Sequence, residues 1–264
     1  MFSGERFRGY EFHSRAFWRA AGGKGYSGIV RKREYIQRGD YHKHLDPSWV
    51  YYSTYVLKME QVRTYLAQLS PTSLILDLGC GEGVLVEEFR QKGYLIWGLD
   101  RNYGGSHIIL GDATALSFSD DSFDVILLLD VIEHLSFDLQ TKALQEVART
   151  LKVNGELIAS FPNLAHLNSR LRFFIRGELH RTASITKHPG DRPIAEYYVL
   201  LEEAGFKIVS RKGFTPTIPL LATKLLRKFP AQLTWLDSWL SRVFPPEICF
   251  VNLIRARRER HEPA

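Results

Sequence analysis

The spacing of hydrophobic positions changes at Pro71. Before it, Tyr55, Met59, Val62, Leu66 and Leu69 recur at steps of three and four residues, which predicts an amphipathic helix from Trp49 to Leu69 that Ser70-Pro71 terminates. After it, short apolar runs alternate with helical patterns. Leu74 to Leu76 reads as a strand running into a glycine-rich turn, and Val84 to Lys92 as a helix with Leu85 and Phe89 on one face. Tyr94 to Leu99, His107 to Leu110 and the almost wholly apolar Phe123 to Leu129 read as further strands. Leu139 to Lys152 is a helix with Ala143, Leu144, Val147 and Leu151 facing inward; Glu156 to Phe161 is a fifth strand. A helix over Pro193 to Ala204 and strands over Phe206 to Val209 and Ile248 to Ile254 complete the series. Such alternation predicts an α/β fold: an open, mostly parallel sheet with helices on both faces and a ligand site at the carboxyl ends of its strands.

Two connections are too long for a minimal sheet. Residues 163–192 and 215–247 each exceed the length of an ordinary structureless loop, about 15 residues at most, and read as inserted segments that cover the binding face. The expected organisation is a basic, aromatic N-terminal arm over 1–48 and one domain over 49–264 carrying these two insertions. The stretch from Pro219 to Phe244 is rich in leucine and tryptophan, with Lys224, Arg227 and Lys228 among them. It reads either as a segment that dips into a bilayer surface or as an amphipathic cover packed on the core or on another subunit.

Composition narrows the class. Of 264 residues, 45% are hydrophobic and 24% charged, so the chain can bury a core. No apolar run approaches the roughly 20 residues that span a bilayer. The opening residues carry Glu5, Arg6 and Arg8 with no apolar run behind them, which predicts no secretory leader. Cys80 and Cys249 are the only cysteines and suit a reducing compartment, so a cytoplasmic setting is expected, with peripheral membrane contact left open. The net charge of +6 is uneven: +5 over 1–50, −6 over 51–205 and +7 over 206–264. Basic ends suit an anionic partner or are ordinary solvated surface.

The chemistry concentrates in Asp77-Leu78-Gly79-Cys80-Gly81-Glu82-Gly83, a strand end followed by glycines at every second position and then a helix. Glycines there let a ligand approach the backbone. A dinucleotide fingerprint would require glycine where Val84 stands. Asp100 closes the second strand, and a carboxylate there can accept two hydrogen bonds from vicinal ribose hydroxyls. Gly111-Asp112-Ala113 ends the third strand, and the fourth runs into Asp130-Val131-Ile132-Glu133-His134-Leu135.

The glycine turn preceded by Asp77 resembles the first motif of the class I S-adenosylmethionine-dependent methyltransferases. The fourth-strand run, with Ser160-Phe161-Pro162-Asn163 and Leu201-Glu202-Glu203-Ala204-Gly205-Phe206, is similar to the group that includes ubiquinone-biosynthesis O-methyltransferases. The resemblance spans about residues 55–214. It implies a Rossmann-like sheet of seven strands with the last antiparallel, and S-adenosyl-L-methionine as cofactor. It implies cofactor contacts at Asp77, Gly79, Gly81, Gly83, Asp100, Arg101, Asp112, Ala113 and Asp130, with Asp112 accepting from the adenine amino group. Methyl transfer asks little of the protein beyond alignment and exclusion of water, and a base only where the acceptor carries a proton. His134 and His188 are the candidate bases. Asp130, Glu133 and His134 could together attract a divalent ion, but their close spacing disfavours simultaneous ligation, and no metal is expected.

The fourth strand is followed by none of the Pro-Pro-aromatic loop of base amino-methyltransferases, and neither cysteine is placed for cytosine C5 chemistry. The expected acceptor is a small or lipid-like molecule whose oxygen attacks the methyl group. The competing expectations are an RNA or protein methyltransferase that uses the basic termini, or a module that holds cofactor without turnover.

Overall fold

The computed structural model describes residues 45–181 and 183–259. The arm expected over 1–48 therefore lies outside the described residues, except for residues 45–48.

Helix α1 (Tyr52–Leu66) precedes a sheet of seven strands: β1 (Leu74–Leu78), β2 (Leu95–Asp100), β3 (Ile108–Leu110), β4 (Phe123–Leu129), β5 (Leu151–Pro162), β6 (Phe206–Pro216) and β7 (Cys249–Arg258). Five further helices connect them: α2 (Val84–Gln91), α3 (Phe137–Thr150), α4 (Leu167–Arg176), α5 (Ile194–Glu203) and α6 (Thr234–Val243). The strand order is β3-β2-β1-β4-β5-β7-β6. The first five strands are parallel, and β7 runs antiparallel between β5 and β6. Strand order therefore reverses between β1 and β4, where an open α/β sheet leaves a crevice.

Side-chain alternation along the strands builds a core on each face. Ile75, Val125, Leu127 and Ile158 pack with Met59, Val62 and Leu66 of α1 and Leu85 and Phe89 of α2. Leu76, Ile126, Leu128 and Leu157 pack with Ala143, Leu144 and Val147 of α3 and Ile194, Tyr197 and Leu201 of α5. Tyr197 stacks on Phe161 with ring centres 4.5 Å apart.

β5, β6 and β7 are longer than their apolar runs, β7 continuing past Ile254 to Arg258. β5 begins at Leu151, and the pairing with β4 shifts between Phe123 and Val125 to absorb the turn at Asn154, whose φ is +64°. β6 continues past Val209 through Ser210, Arg211 and Lys212, because it is the edge strand and charge on an edge is compatible with one-sided pairing to β7.

Candidate active site

The turn after β1 opens the site. Gly79, Gly81 and Gly83 all take positive φ, at +79°, +55° and +74°. Gly79 is bound by space as well: a Cβ there would lie 2.3 Å from Cγ2 of Val131. The amides of Gly79 and Cys80 donate to the Leu99 carbonyl at 2.7 and 3.3 Å, clasping the turn to the end of β2. The Gly81 amide donates to one carboxylate oxygen of Asp100 at 2.8 Å, and the other accepts from Asn102 and Tyr103 at 2.7 and 3.2 Å. Cys80 is buried, its sulfur tucked where a Cβ on Gly98 would sit.

The end of β4 forms the opposite wall. Asp130 adopts φ +54°, a conformation that Asp tolerates better than most residues. Its amide donates to the Ser160 hydroxyl at 3.0 Å; that hydroxyl donates to the Asp130 carboxylate, and Lys58 of α1 pairs with the other oxygen. Lys58 is only 2% exposed. A single turn over Ile132–His134 follows. Glu133 is buried at the floor, with Oε2 lacking a hydrogen-bond partner among the described residues. Burial first, then Asp130, raises its pKa well above the usual carboxylate range.

His134 and His188 meet edge to face, with ring centres 4.6 Å apart. His134 Nδ1 lies 3.1 Å from the Lys187 carbonyl, and His188 Nδ1 lies 3.4 Å from Asp191. Burial, with a contribution from His188, lowers the His134 pKa, which favours the neutral ring. Gln140 of α3, fully buried, holds the two histidines' loops together. Its amide donates to the carbonyls of Ile132 and Gly190 at 3.0 and 2.7 Å, and its oxygen accepts from Arg192 at 2.8 Å.

These walls enclose a cavity of about 370 Å³. On one side lie Gly79, Gly81, Asp100, Arg101, Asp112 and Ala113; on the other lie Asp130, His134 and His188, all of them expected from the sequence. Asp77 and Gly83 do not line it. Asp77 is buried beneath the turn, where burial and Asp100 push its pKa up to about 7, and Gly83 is the residue that caps α2. Asp112 stands exposed at the rim: burial works against its charge, but the Thr114 amide and hydroxyl, each at 2.8 Å, with Arg101 nearby, outweigh it and hold its pKa low.

The sequence reading missed Lys58 and an aromatic wall. Trp49, Tyr51, Tyr55 and Phe250 also line the cavity, with Tyr51 stacked on Phe250 at 5.2 Å. Of the segment 163–192, Ala183 and His188 reach the cavity; of 215–247, no described residue does. There α6 packs instead on α1 and β6, where buried Asp237 accepts hydrogen bonds from Ser53 and Thr215. Among the described residues no three His, Cys, Asp or Glu side chains group as metal ligands.

Backbone-lined space at Gly79 and Gly81, an acid at the end of β2 and a second acid at the end of β3 fit an adenosyl cofactor at the sheet's switch point. The methyltransferase-domain family matches residues 52–211, and the chain belongs to that family. Its fold is that of the S-adenosyl-L-methionine-dependent methyltransferases. The ubiquinone biosynthesis O-methyltransferase of Ruegeria sp. (strain TM1040) is 30% identical over 156 residues, 53% of this chain and 62% of that one. A Mus musculus protein named "Probable tRNA methyltransferase 9B" is 32% identical over 106 residues, 37% of this chain and 24% of that one. The chain thus spans less than two thirds of either relative. The crystal structure of a SAM-dependent methyltransferase from Archaeoglobus fulgidus superposes with a TM-score of 0.51 at 20% identity, covering 77% of this chain and 94% of that one, and shares its fold.

Proposed function

We propose that the protein methylates an oxygen of a small or lipid-like acceptor held against the aromatic wall, with His134 as the base. The observation that carries this reading is the cavity itself. The cavity of about 370 Å³ runs from the strand ends to the aromatic wall, and the half-buried His134–His188 pair lines it. When bound, the cofactor supplies a methyl group on a sulfonium whose leaving group is a neutral thioether.

Each residue then has a task. A carboxylate offers about four lone-pair positions, and Asp100 uses three on Gly81, Asn102 and Tyr103, which fixes its plane and leaves a position for a ribose hydroxyl. Gly79 and Gly81 present backbone to the ligand, and Asp112 and the Ala113 amide take the purine. Arg101 closes the outer rim. Asp130, immobilised by Lys58 and Ser160, fixes the boundary between cofactor and acceptor. His134 accepts the acceptor's proton, and His188 orients it. Asp77 is a positioning residue beneath the turn. Trp49, Tyr51, Tyr55 and Phe250 exclude water and hold an apolar acceptor body.

The mouse relative supports an RNA acceptor as the second reading. Labelled-methyl incorporation into a cell extract, separated into lipid, small-molecule, RNA and protein fractions, separates the two. Label in the lipid or small-molecule fraction supports the first; label confined to RNA or protein overturns it. Asp100→Ala tests the cofactor half: affinity by calorimetry should fall about tenfold or more with an unchanged circular dichroism spectrum.

A further inference from the structure

Helix α4 is amphipathic in the wrong direction for a packed helix. Ser169 is its one buried residue, while Phe174 is 89% exposed and Ile175 74% exposed, with Leu171 and Phe173 exposed beside them. A second exposed apolar group comes from the turn after β6, at Leu220, Leu225 and Phe229. The two groups belong to one region. The Asn168 amide donates to the Thr217 hydroxyl at 3.0 Å, and His166 Nδ1 lies 2.8 Å from the same oxygen. Arg227 lies near enough to His180, after α4, to act on its charge.

The charge of this region is one-sided. Residues 167–181 hold four arginines and one carboxylate, Glu178; residues 217–236 hold three cations and no carboxylate. Arg176, Lys224, Arg227 and Lys228 are all exposed.

We propose that α4 and the turn over 217–229 form a docking surface for an anionic lipid bilayer, with the apolar side chains entering the headgroup boundary and the cations meeting lipid phosphates. No described helix is long and apolar enough to cross a membrane, so the contact lies on the surface. Aliphatic side chains as open as Ile175 and Leu220 gain nothing from stacking on nucleic-acid bases, which disfavours RNA as occupant. A second copy docking through the same patch would bring two basic faces together. The same inserted segment, 163–192, carries both α4 and the cavity-lining Ala183 and His188, which ties the docking surface to the site. The proposal deepens the methyl-transfer reading by naming the source of a lipid-like acceptor, and rests on it for that step alone.

The test is flotation of the full chain with vesicles of phosphatidylcholine alone or mixed with phosphatidylglycerol. Binding should need the anionic lipid and weaken with salt. The double variant Phe174→Glu/Ile175→Glu should lose about tenfold or more in apparent affinity, and Lys228→Ala about fivefold. These side chains are exposed, so circular dichroism, melting temperature and cofactor affinity should not move. Failure of the wild type to float with anionic vesicles overturns the proposal. So does a double variant that floats equally well, or one that instead loses RNA retention or dimer mass. Cofactor calorimetry in vesicle-free buffer keeps the two readings apart: lost cofactor binding with intact flotation counts against methyl transfer alone.

Discussion

Asp77 should make the protein less stable as pH rises toward neutrality. Its carboxyl is 4% exposed, and burial together with Asp100 moves its pKa from 3.8 to about 7. The folded pKa lies above the unfolded one. Between those values the folded chain holds a proton that the unfolded chain has released, so stability declines as pH climbs through the window and the full penalty applies above it. Three pKa units at ~1.4 kcal/mol each set a ceiling of ~4 kcal/mol, reduced because Asp100 shares the interaction. Asp77→Asn keeps the shape and cannot ionise. Urea unfolding of both proteins should give similar free energies near pH 4 and a variant advantage of roughly 2–4 kcal/mol near pH 8.5. Parallel stability curves across the whole range, or a variant less stable on the alkaline side, would refute the reasoning.

Three other substitutions probe the site. Lys58→Met leaves the Asp130 carboxylate without its buried cation and should cost about 3–5 kcal/mol in denaturant unfolding, more than Met gains by burial. Gly79→Ala drives a methyl against Val131 at a positive φ; a melting curve should show a loss of roughly 1–3 kcal/mol, with cofactor affinity also reduced. His134→Gln should lower kcat by about a hundredfold while leaving cofactor affinity unchanged. Because burial lowers the His134 pKa, the wild-type rate should hold below the usual histidine range and fall only at more acidic pH; a rate insensitive to both changes removes the base assignment.

The sheet was legible mainly because β1, β2 and β4 are largely apolar, largely buried runs closed by a glycine or an acid. The ends of β5 and β6 were not. Asn154-Gly155 reads as a turn yet is carried inside β5, and Ser210 to Lys212 is polar only because β6 lies at an edge. The cofactor side of the cavity is local in sequence, at strand ends, and could be read residue by residue. The aromatic wall joins Trp49, Tyr51 and Tyr55 to Phe250 across nearly the whole chain, and no local pattern announces such a meeting. Lys58 did leave a signal: it lies four residues before Val62 on the apolar stripe of α1, where a cation must find a buried partner.

The placement of Cys80 turns the site into its own reporter. Its thiol sits under the glycine turn, and burial, then Asp77 and Asp100, raises its pKa far from reactivity; burial lifts Cys249 to about 12. An alkylating reagent therefore waits for the loop to open, and mass spectrometry of Cys80 modification over time becomes a clock for that opening, which a bound nucleoside should slow.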